Sequence, residues 1–318
     1  MRILLTGATG YVGSALLPRL AASGHEVLAL VRCDSACEGK ARLRQDTDSG
    51  VEVLVGDICE PEWGVAEVPP FDVLIHAAAS TKLARRPGGA VRAANFRALA
   101  PIPEIVRRGG ARRVVHVSTA FVVPERDGVL REALPGPGTG SNPYESSKTA
   151  GERWLNARLD VPLEVVRPGI ILPSVNDRAL AARSPLGPFL HAWARIGGER
   201  LALAAKANVR LGLVTLEGTA DFLCTRVDSP ARHRAFWNLA ERAPWTLGDL
   251  AAHLVQTRGL GVELNERRAH PLLETWSPYL MAERCWENDG ARSAVPSAFA
   301  AVSLEDFAAM IVPEAVPA

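Results

Sequence analysis

Met1-Arg-Ile-Leu-Leu5 runs without a break into Thr6-Gly-Ala-Thr-Gly-Tyr-Val-Gly13. A short apolar strand meets a turn with glycines at positions 7, 10 and 13, and the apolar run Ala15-Leu16-Leu17 through Leu20 follows. Each glycine has its own use. The first permits a tight turn, the second lets backbone approach a phosphate, and the third lets the following helix pack closely on the sheet. Gly24-His25 then leads into a second apolar strand, Glu26 to Val31. The result is a strand–helix–strand unit of the length this fingerprint needs. It predicts a dinucleotide whose pyrophosphate lies on the backbone N–H groups at the helix N-terminus.

The end of the second strand discriminates between cofactors. An acidic side chain there would accept from the ribose 2′-hydroxyl of NAD, whereas an arginine suits the 2′-phosphate of NADP. The chain places Val31 and then Arg32 at this point, with Asp34 only beyond the strand end. NADP(H) is therefore the expected cofactor, because a guanidinium can clamp a phosphate bidentately. The alternative is a plain surface arginine, since all but four of the 36 basic residues are arginines.

Working outward, strand-like runs recur at Val51–Val55, Phe71–His76, Arg113–Val117 and Leu163–Arg167, separated by helix-like segments. Alternation of this kind predicts an α/β fold: a doubly wound parallel sheet (Rossmann fold) with a smaller, mostly helical C-terminal substrate lobe. The expected division is 1–170, with a returning segment near 209–240, for the nucleotide domain, and 171–208 with 241–318 for the lobe. The stretch 124–143, with four prolines, reads as a loop bordering the site, and 173–200 as part of the lobe rather than a strand. From about 241 onward the chain reads as helical, and 311–318 as a frayed tail. Ligands in such sheets gather beyond the carboxyl ends of the strands. The stretches to read for function are thus Gly56-Asp57, Ala77-Ala-Ala79, Ser118-Thr119 and Pro168-Gly169.

Composition narrows the classes. The chain has 318 residues, 47% hydrophobic and 22% charged, with a formal net charge of +1. That is a globular composition with no bulk attraction to nucleic acid or membrane. No apolar run approaches the ~20 residues of a membrane helix, and a strand at the very N-terminus leaves no room for a signal peptide, so the expected location is the cytoplasm. Five scattered cysteines and seven dispersed histidines lack zinc-ligand spacing, which predicts reduced thiols and no metal.

Tyr144-Glu-Ser-Ser-Lys148 opens a helix-like run that continues through Trp154 and Leu155. A spacing of four puts phenol and ammonium on one helical face. A lysine cation beside a tyrosine stabilises phenolate and brings the phenol into use as a proton donor or acceptor. Thr119, a hydroxyl at the end of the fifth strand, precedes the pair. His76 and His116 fall inside strand patterns and read as core or sheet-edge histidines.

In this order, Thr6-Gly-Ala-Thr-Gly-Tyr-Val-Gly13, Gly56-Asp57, His76-Ala-Ala-Ala79, Asn95, Ser118-Thr119 and Tyr144-x-x-x-Lys148 resemble the extended short-chain dehydrogenases/reductases over nearly the whole chain. Gly56-Asp-Ile-Cys-Glu-Pro61 with Trp63-Gly64, Val117-Ser-Thr-Ala-Phe-Val122, Glu152 and Arg167-Pro-Gly-Ile170 are similar to their thioester-reductase and fatty-acyl-reductase branch. Two segments depart from that branch. Leu213-Val-Thr-Leu-Glu217 replaces an acidic Asp-x-Val-x-Val-Asp segment, and Thr149 stands where an aromatic often follows the lysine.

The resemblance implies roles. Tyr144 would be the general acid at a carbonyl oxygen, Thr119 would hydrogen-bond that oxygen, and Lys148 would hold the nicotinamide ribose and tune Tyr144. Asp57 would contact adenine, and Asn95 would support the fourth helix or a proton relay. The cofactor contacts implied are Thr6, Gly7, Thr9, Gly10, Tyr11, Val12, Gly13, Arg32, Asp57, Ile58, Ala77, Ala78, Ala79, Asn95, Lys148, Pro168, Gly169 and Ile170. The expected activity is NADPH-dependent reduction of a carbonyl, either an acyl thioester or an aldehyde or ketone derived from one. The partners expected are that small-molecule substrate, on coenzyme A or a carrier protein, and a second copy of the chain, with no nucleic acid and no membrane. Two alternatives use the same residues differently: an NAD(P)-dependent nucleotide-sugar epimerase or dehydratase, and a non-catalytic NADP-binding sensor.

Overall fold

The computed structural model describes residues 1–43, 50–81, 89–122, 128–138, 140–173, 184, 186–196, 200–267 and 269–311. Its central element is a seven-stranded parallel sheet in the order β11-β7-β5-β4-β1-β2-β3. The strands are β1 (Arg2–Thr6), β2 (Glu26–Val31), β3 (Val51–Val55), β4 (Val73–His76), β5 (Arg113–Val117), β7 (Leu163–Pro168) and β11 (Arg234–Leu239). The order reverses between β1 and β4, the switch point at which such sheets open a crevice.

Period-two alternation splits each strand between two cores. From β1, Ile3 and Leu5 face one side with Leu16, Leu17 and Leu20 of helix α1 (Tyr11–Ala22). Leu4 faces the other, with Leu74, Val114 and Val165 against Ile102, Ile105 and Val106 of α4 (Ile102–Gly109) and Leu155 of α5 (Pro143–Arg158). Covering on both faces is why these strands are nearly all apolar. Helix α3 (Gly89–Leu99) packs beside α5 on this second face.

β7 carries a fully buried Glu164, which accepts from Arg226 Nε at 2.9 Å, Trp237 Nε1 at 3.0 Å and Arg113 Nη1 at 3.3 Å. Paired in this way, a carboxylate is tolerated in the core, and only the loss of both arginines would leave it uncompensated. Arg167 and Glu152 form a second fully buried pair nearby, 2.6 Å apart.

A third core lies outside the sheet. Leu172, Phe189, Leu201, Leu203 and Leu213 pack there with Trp245, Leu250, Leu254, Phe307 and Ile311. Its helices include α6 (Gly187–Ile196), α8 (Leu247–Arg258), α9 (Ser277–Met281) and α11 (Leu304–Ile311). α8 begins at a capping box formed by Thr246 and Asp249. Short strands accompany the helices: β8 (Ile170–Leu172), β10 (Gly212–Thr215) and β12 (Glu241–Arg242) form one sheet, and β9 (Arg200–Leu203) pairs with β13 (Gly261–Leu264). The region after 241 is therefore not helical throughout. Leu213 and Leu203 sit in strands too short to register as alternation, and their pairing partners are remote in sequence.

The proline-rich stretch before α5 is likewise not all loop. β6 (Gly128–Leu130) pairs in parallel with β14 (Arg284–Trp286), more than 150 residues away, through backbone bonds that no local pattern announces. Residues 174–183, 185, 197–199 and 312–318, on which parts of the lobe and tail expectations fall, lie outside the described residues. All five cysteines are free thiols, and no helix among the described residues is long and apolar enough to cross a membrane.

Candidate functional site

A cleft of about 1040 Å³ opens along the carboxyl ends of β1, β2, β3, β4, β5 and β7 and continues into the third core. Its floor begins at the glycine turn. Gly7 has φ +78°, and a Cβ there would lie 2.8 Å from Ala78 N, so only glycine allows this approach to the end of β4. A Cβ at Gly13 would collide with the Gly7 carbonyl. α1 starts at Gly10, which supplies no side-chain cap, so the first N–H groups of the helix face the cleft. The turn has the shape and polarity for a pyrophosphate.

The far edge is set by β2 and β3. Arg32 lies 3.7 Å from Asp57, the arginine 78% exposed and the aspartate partly buried, and both line the cleft. Asp57 is held from below. Its N–H donates to the Trp63 carbonyl at 2.9 Å, and its Oδ1 accepts from Cys59 N. Trp63 itself sits at φ +59° after Glu62 at φ +47°, two residues in the left-handed region that each cost about 1–3 kcal/mol. Complete burial of the indole, which donates to the Ala98 carbonyl at 2.9 Å, offsets that strain.

The chemical wall is built by β5 and α5. Asn142 caps α5 by accepting from Glu145 N at 2.9 Å, and Pro143 occupies the first turn. This start places Tyr144 beside Thr119, whose hydroxyl hydrogen-bonds the phenol. Desolvation raises the phenol pKa to about 12, the Thr119 bond opposing the rise, so the proton stays on oxygen at neutral pH. One turn on, the Lys148 ammonium donates to the Val117 carbonyl at 2.7 Å. Its burial lowers the pKa to about 8, with Glu152 acting in the opposite sense.

Beneath Lys148 the rings of Trp63, His76 and His116 form a stack, with centroid spacings of 5.9 and 5.5 Å. Desolvation, reinforced by the Lys148 charge, lowers the His76 pKa to about 3 and holds His116 far below its usual value. Both are neutral core histidines.

The structure brings most of the expected residues to one surface. Gly7, Thr9 to Gly13, Arg32, Asp57, Ile58, Ala77 to Ala79, Thr119, Tyr144, Lys148 and Pro168 to Ile170 all line the cleft. Thr6 and Asn95 stand behind it. The Thr6 hydroxyl meets His76 Nδ1 at 2.9 Å and accepts from Ala78 N. Asn95 accepts from Ser80 N at 2.8 Å and donates to Ser147 Oγ at 2.8 Å, tying the loop after β4 to α5. Both hold backbone at the edge of the cleft.

Other residues enter the cleft with no motif to announce them. Arg42, on α2 (Ala36–Leu43), lines it beside Arg32, donates to the Arg32 carbonyl and pairs with Glu38. Tyr279 arrives from the C-terminal lobe. Its hydroxyl accepts from Asn142 Nδ2 at 2.8 Å and adjoins Glu145, and its ring meets Phe121 edge-on at 4.9 Å. Arg284, 2% exposed, lies over Phe121 and Tyr279. Burial raises the Glu145 pKa, with Arg284 opposing. A candidate polar lock thus joins the lobe to the cap of the helix carrying Tyr144. Its one detectable signal in the sequence was that Tyr279 is one of only three tyrosines.

Residues 5–188 match a protein family described as the male sterility protein. Peramine synthetase A of Epichloe festucae is 26% identical over 310 residues, covering 86% of this chain and 11% of that protein. A UDP-glucose 4-epimerase of Mycolicibacterium smegmatis is 31% identical over 162 residues, 49% of this chain and 50% of the relative. The chain thus spans half or less of the length of these relatives. Among solved structures, the terminal R domain from the myxalamid PKS-NRPS biosynthetic pathway superposes with a TM-score of 0.78 at 19% identity, covering 98% of this chain and 89% of that one. With the glycine turn, the seven-stranded sheet and the Thr119, Tyr144 and Lys148 wall in place, the chain belongs to the male sterility protein family of NAD-binding domains, in the thioester-reductase branch of the extended short-chain dehydrogenases/reductases.

Proposed function

We propose that this chain is an NADPH-dependent reductase that converts an acyl thioester, or an aldehyde or ketone derived from one, with Tyr144 as the proton donor. The observation that carries the reading is the wall itself: a desolvated phenol bonded to Thr119, one helical turn from a desolvated ammonium, in the cleft that begins at the glycine turn. The cofactor fits the residues present, because Gly7 and Gly13 admit no Cβ and the start of α1 is uncapped. The glycine turn would hold its pyrophosphate, Arg32 and Arg42 its 2′-phosphate, Asp57 its adenine end and Lys148 its nicotinamide ribose. When bound, it supplies the hydride for the carbonyl carbon.

The chain's own groups handle the proton. A phenol that keeps its proton to about pH 12 has that proton in place at neutral pH, and it gives the proton up to the more basic alkoxide that develops on the carbonyl oxygen. Thr119 donates to the same region and steadies the phenolate left behind. Lys148, charged below about pH 8, lies one helical turn from the phenol and would hold the nicotinamide ribose there. The thioester is supported by the likeness to a terminal R domain and to a multidomain synthetase. NADP over NAD is supported by two arginines on the cleft edge below β2.

The test is NADPH oxidation by the purified protein against acyl thioesters, aldehydes, ketones and nucleotide sugars, with Tyr144→Phe as the blank. Turnover of a thioester or carbonyl that vanishes in the variant is the expected result. Tight NADPH binding with no consumption on the whole panel would overturn the reading in favour of a retained cofactor, as in an epimerase, or of a sensor.

A further inference from the structure

We propose that Arg284 is a positioning residue for proton delivery: with Trp286 it clamps the two segments that carry Thr119 and Tyr144, so that the C-terminal part of the chain completes the hydrogen bond between them. The kinetic consequence rests on the reductase reading. The geometry stands without it.

Thr119 follows β5 and Tyr144 opens α5, so their contact depends on how a strand end meets a helix start. The short strand β14 reaches both. On the Thr119 side, Trp286 Nε1 donates to the Ala120 carbonyl at 2.8 Å, and the Arg284 guanidinium carbon lies 5.2 Å from the centre of the Phe121 ring. On the Tyr144 side, Arg284 Nη2 donates to Ser141 Oγ at 3.3 Å, next to the Asn142 cap. Tyr279, whose hydroxyl accepts from the Asn142 amide, lies against the same guanidinium at 5.6 Å. β14 is itself fixed from outside. It pairs with β6, and the Trp286 indole is seated on Gly212, where a Cβ would lie 2.4 Å from the ring. One strand thus holds both halves of a hydrogen bond whose alignment decides whether a proton can be delivered.

The charges around Arg284 point the same way. Glu145, next to Tyr144, is fully buried; its Oε2 accepts from Ser141 N at 2.7 Å, while Oε1 has no hydrogen-bond partner among the described residues. Arg284 is almost as buried and leaves Nε and Nη1 unpaired among the same residues. Buried charges with unspent donors and acceptors cost stability, so as a plain fastener this arrangement gains little. Its use is local to the phenol. The Glu145 charge opposes ionisation of Tyr144, and the Arg284 charge opposes that of Glu145. The guanidinium is therefore set where it holds the helix start and also offsets the carboxylate beside the phenol.

The experiment places an isotopic NMR label at tyrosine Cζ, which is tractable because the chain has only three tyrosines. Tyr144→Phe and Tyr279→Phe assign the resonances. Arg284→Met is expected to move the Tyr144 resonance in the direction that Thr119→Val moves it, and the double variant to move it no further. In NADPH oxidation on the panel given above, Arg284→Met should lower kcat roughly 10- to 100-fold and leave KM and NADPH affinity within about twofold. Adding Thr119→Val should then cost nothing more, whereas a residue that only supports the fold would add its loss to that of Thr119. Melting temperature checks folding, and where Arg284→Met does not fold, Trp286→Phe, which loses only the Ala120 bond, carries the same comparison. An unmoved Tyr144 resonance, or losses that add in the double variant, would overturn the proposal. A moved resonance with no turnover of any substrate would leave it standing and remove the reductase reading. Turnover that Arg284→Met leaves intact would do the reverse.

Discussion

The Lys148 ammonium is 2.7 Å from the carbonyl oxygen of Val117, the last residue of β5. This bond fixes the helix that presents Tyr144 to the strand that presents Thr119. It also commits a cation to a desolvated position, and the energetic consequences can be measured.

Replacing Lys148 by Met is expected to stabilise the fold at pH 7 while removing activity. Folded, Lys148 holds its proton only to about pH 8; its ordinary value is 10.5. Folding therefore carries a penalty that is fully present below pH 8 and fades as pH rises toward 10.5, where both states are neutral. The expected gain at pH 7 is roughly 2–3 kcal/mol once the lost Val117 bond is taken off. Urea midpoints at pH 7 and 10 decide the matter: the variant's advantage must shrink at the higher pH.

Tyr144→Phe is expected to lower kcat by about 10²–10⁴ and leave the NADPH dissociation constant within about twofold. The phenol acts as charge develops on the substrate, and the Thr119 hydroxyl does not replace its proton. Activity within a few-fold of the parent would remove Tyr144 from its assigned role.

Arg32→Asp should turn cofactor preference from NADPH toward NADH, because it sets a carboxylate at the end of β2 next to Asp57. Arg42→Ala should weaken NADPH binding and spare NADH, since it thins the positive edge without adding repulsion. Equilibrium titrations with both nucleotides test the pair; an unchanged ratio in both variants would show that the 2′-position is read elsewhere.

Acid should weaken the fold through the stacked histidines. His76 has its usual value of 6.5 lowered to about 3, and His116 falls in the same direction, so the folded chain keeps both rings neutral. The unfolded chain takes up these protons below about pH 6.5, and stability is lost progressively from there toward pH 3. His116→Phe preserves an aromatic neighbour for His76 and removes two buried ring nitrogens that have no hydrogen-bond partner. Its melting temperature should drop less than the parent's between pH 7 and 5.

The site was legible wherever its residues are local. The glycine turn and the Tyr144–Lys148 spacing are short-range geometry, and the nearly unbroken apolar runs of β1, β2 and β4 directly report two buried faces. What escaped depends on distant partners. β11 contains Asn238, fully buried, yet the residue is satisfied by the carbonyls of Leu130 and Glu287, far away in the chain. Glu164 looks like a surface residue in sequence because its partners, Arg113 and Arg226, lie on other elements. Tyr279 and Arg42 reach the cleft from a lobe and a helix edge whose orientation no spacing encodes. The strained turn at Glu62 and Trp63 is hidden for the same reason, since it is held by an indole contact to Ala98 on α3.

The third core is drawn from two separate stretches, Leu172 to Leu213 and Ala243 to Ile311. Between them the chain returns to the first core through Leu216, Phe222, Trp237 and Leu239 and supplies the outermost strand of the main sheet. The third core is thus not a contiguous cassette. Recombining this chain with a relative to exchange that core would need two grafts made together, with crossovers on either side of β11. A single crossover would instead pair half of one core with half of another.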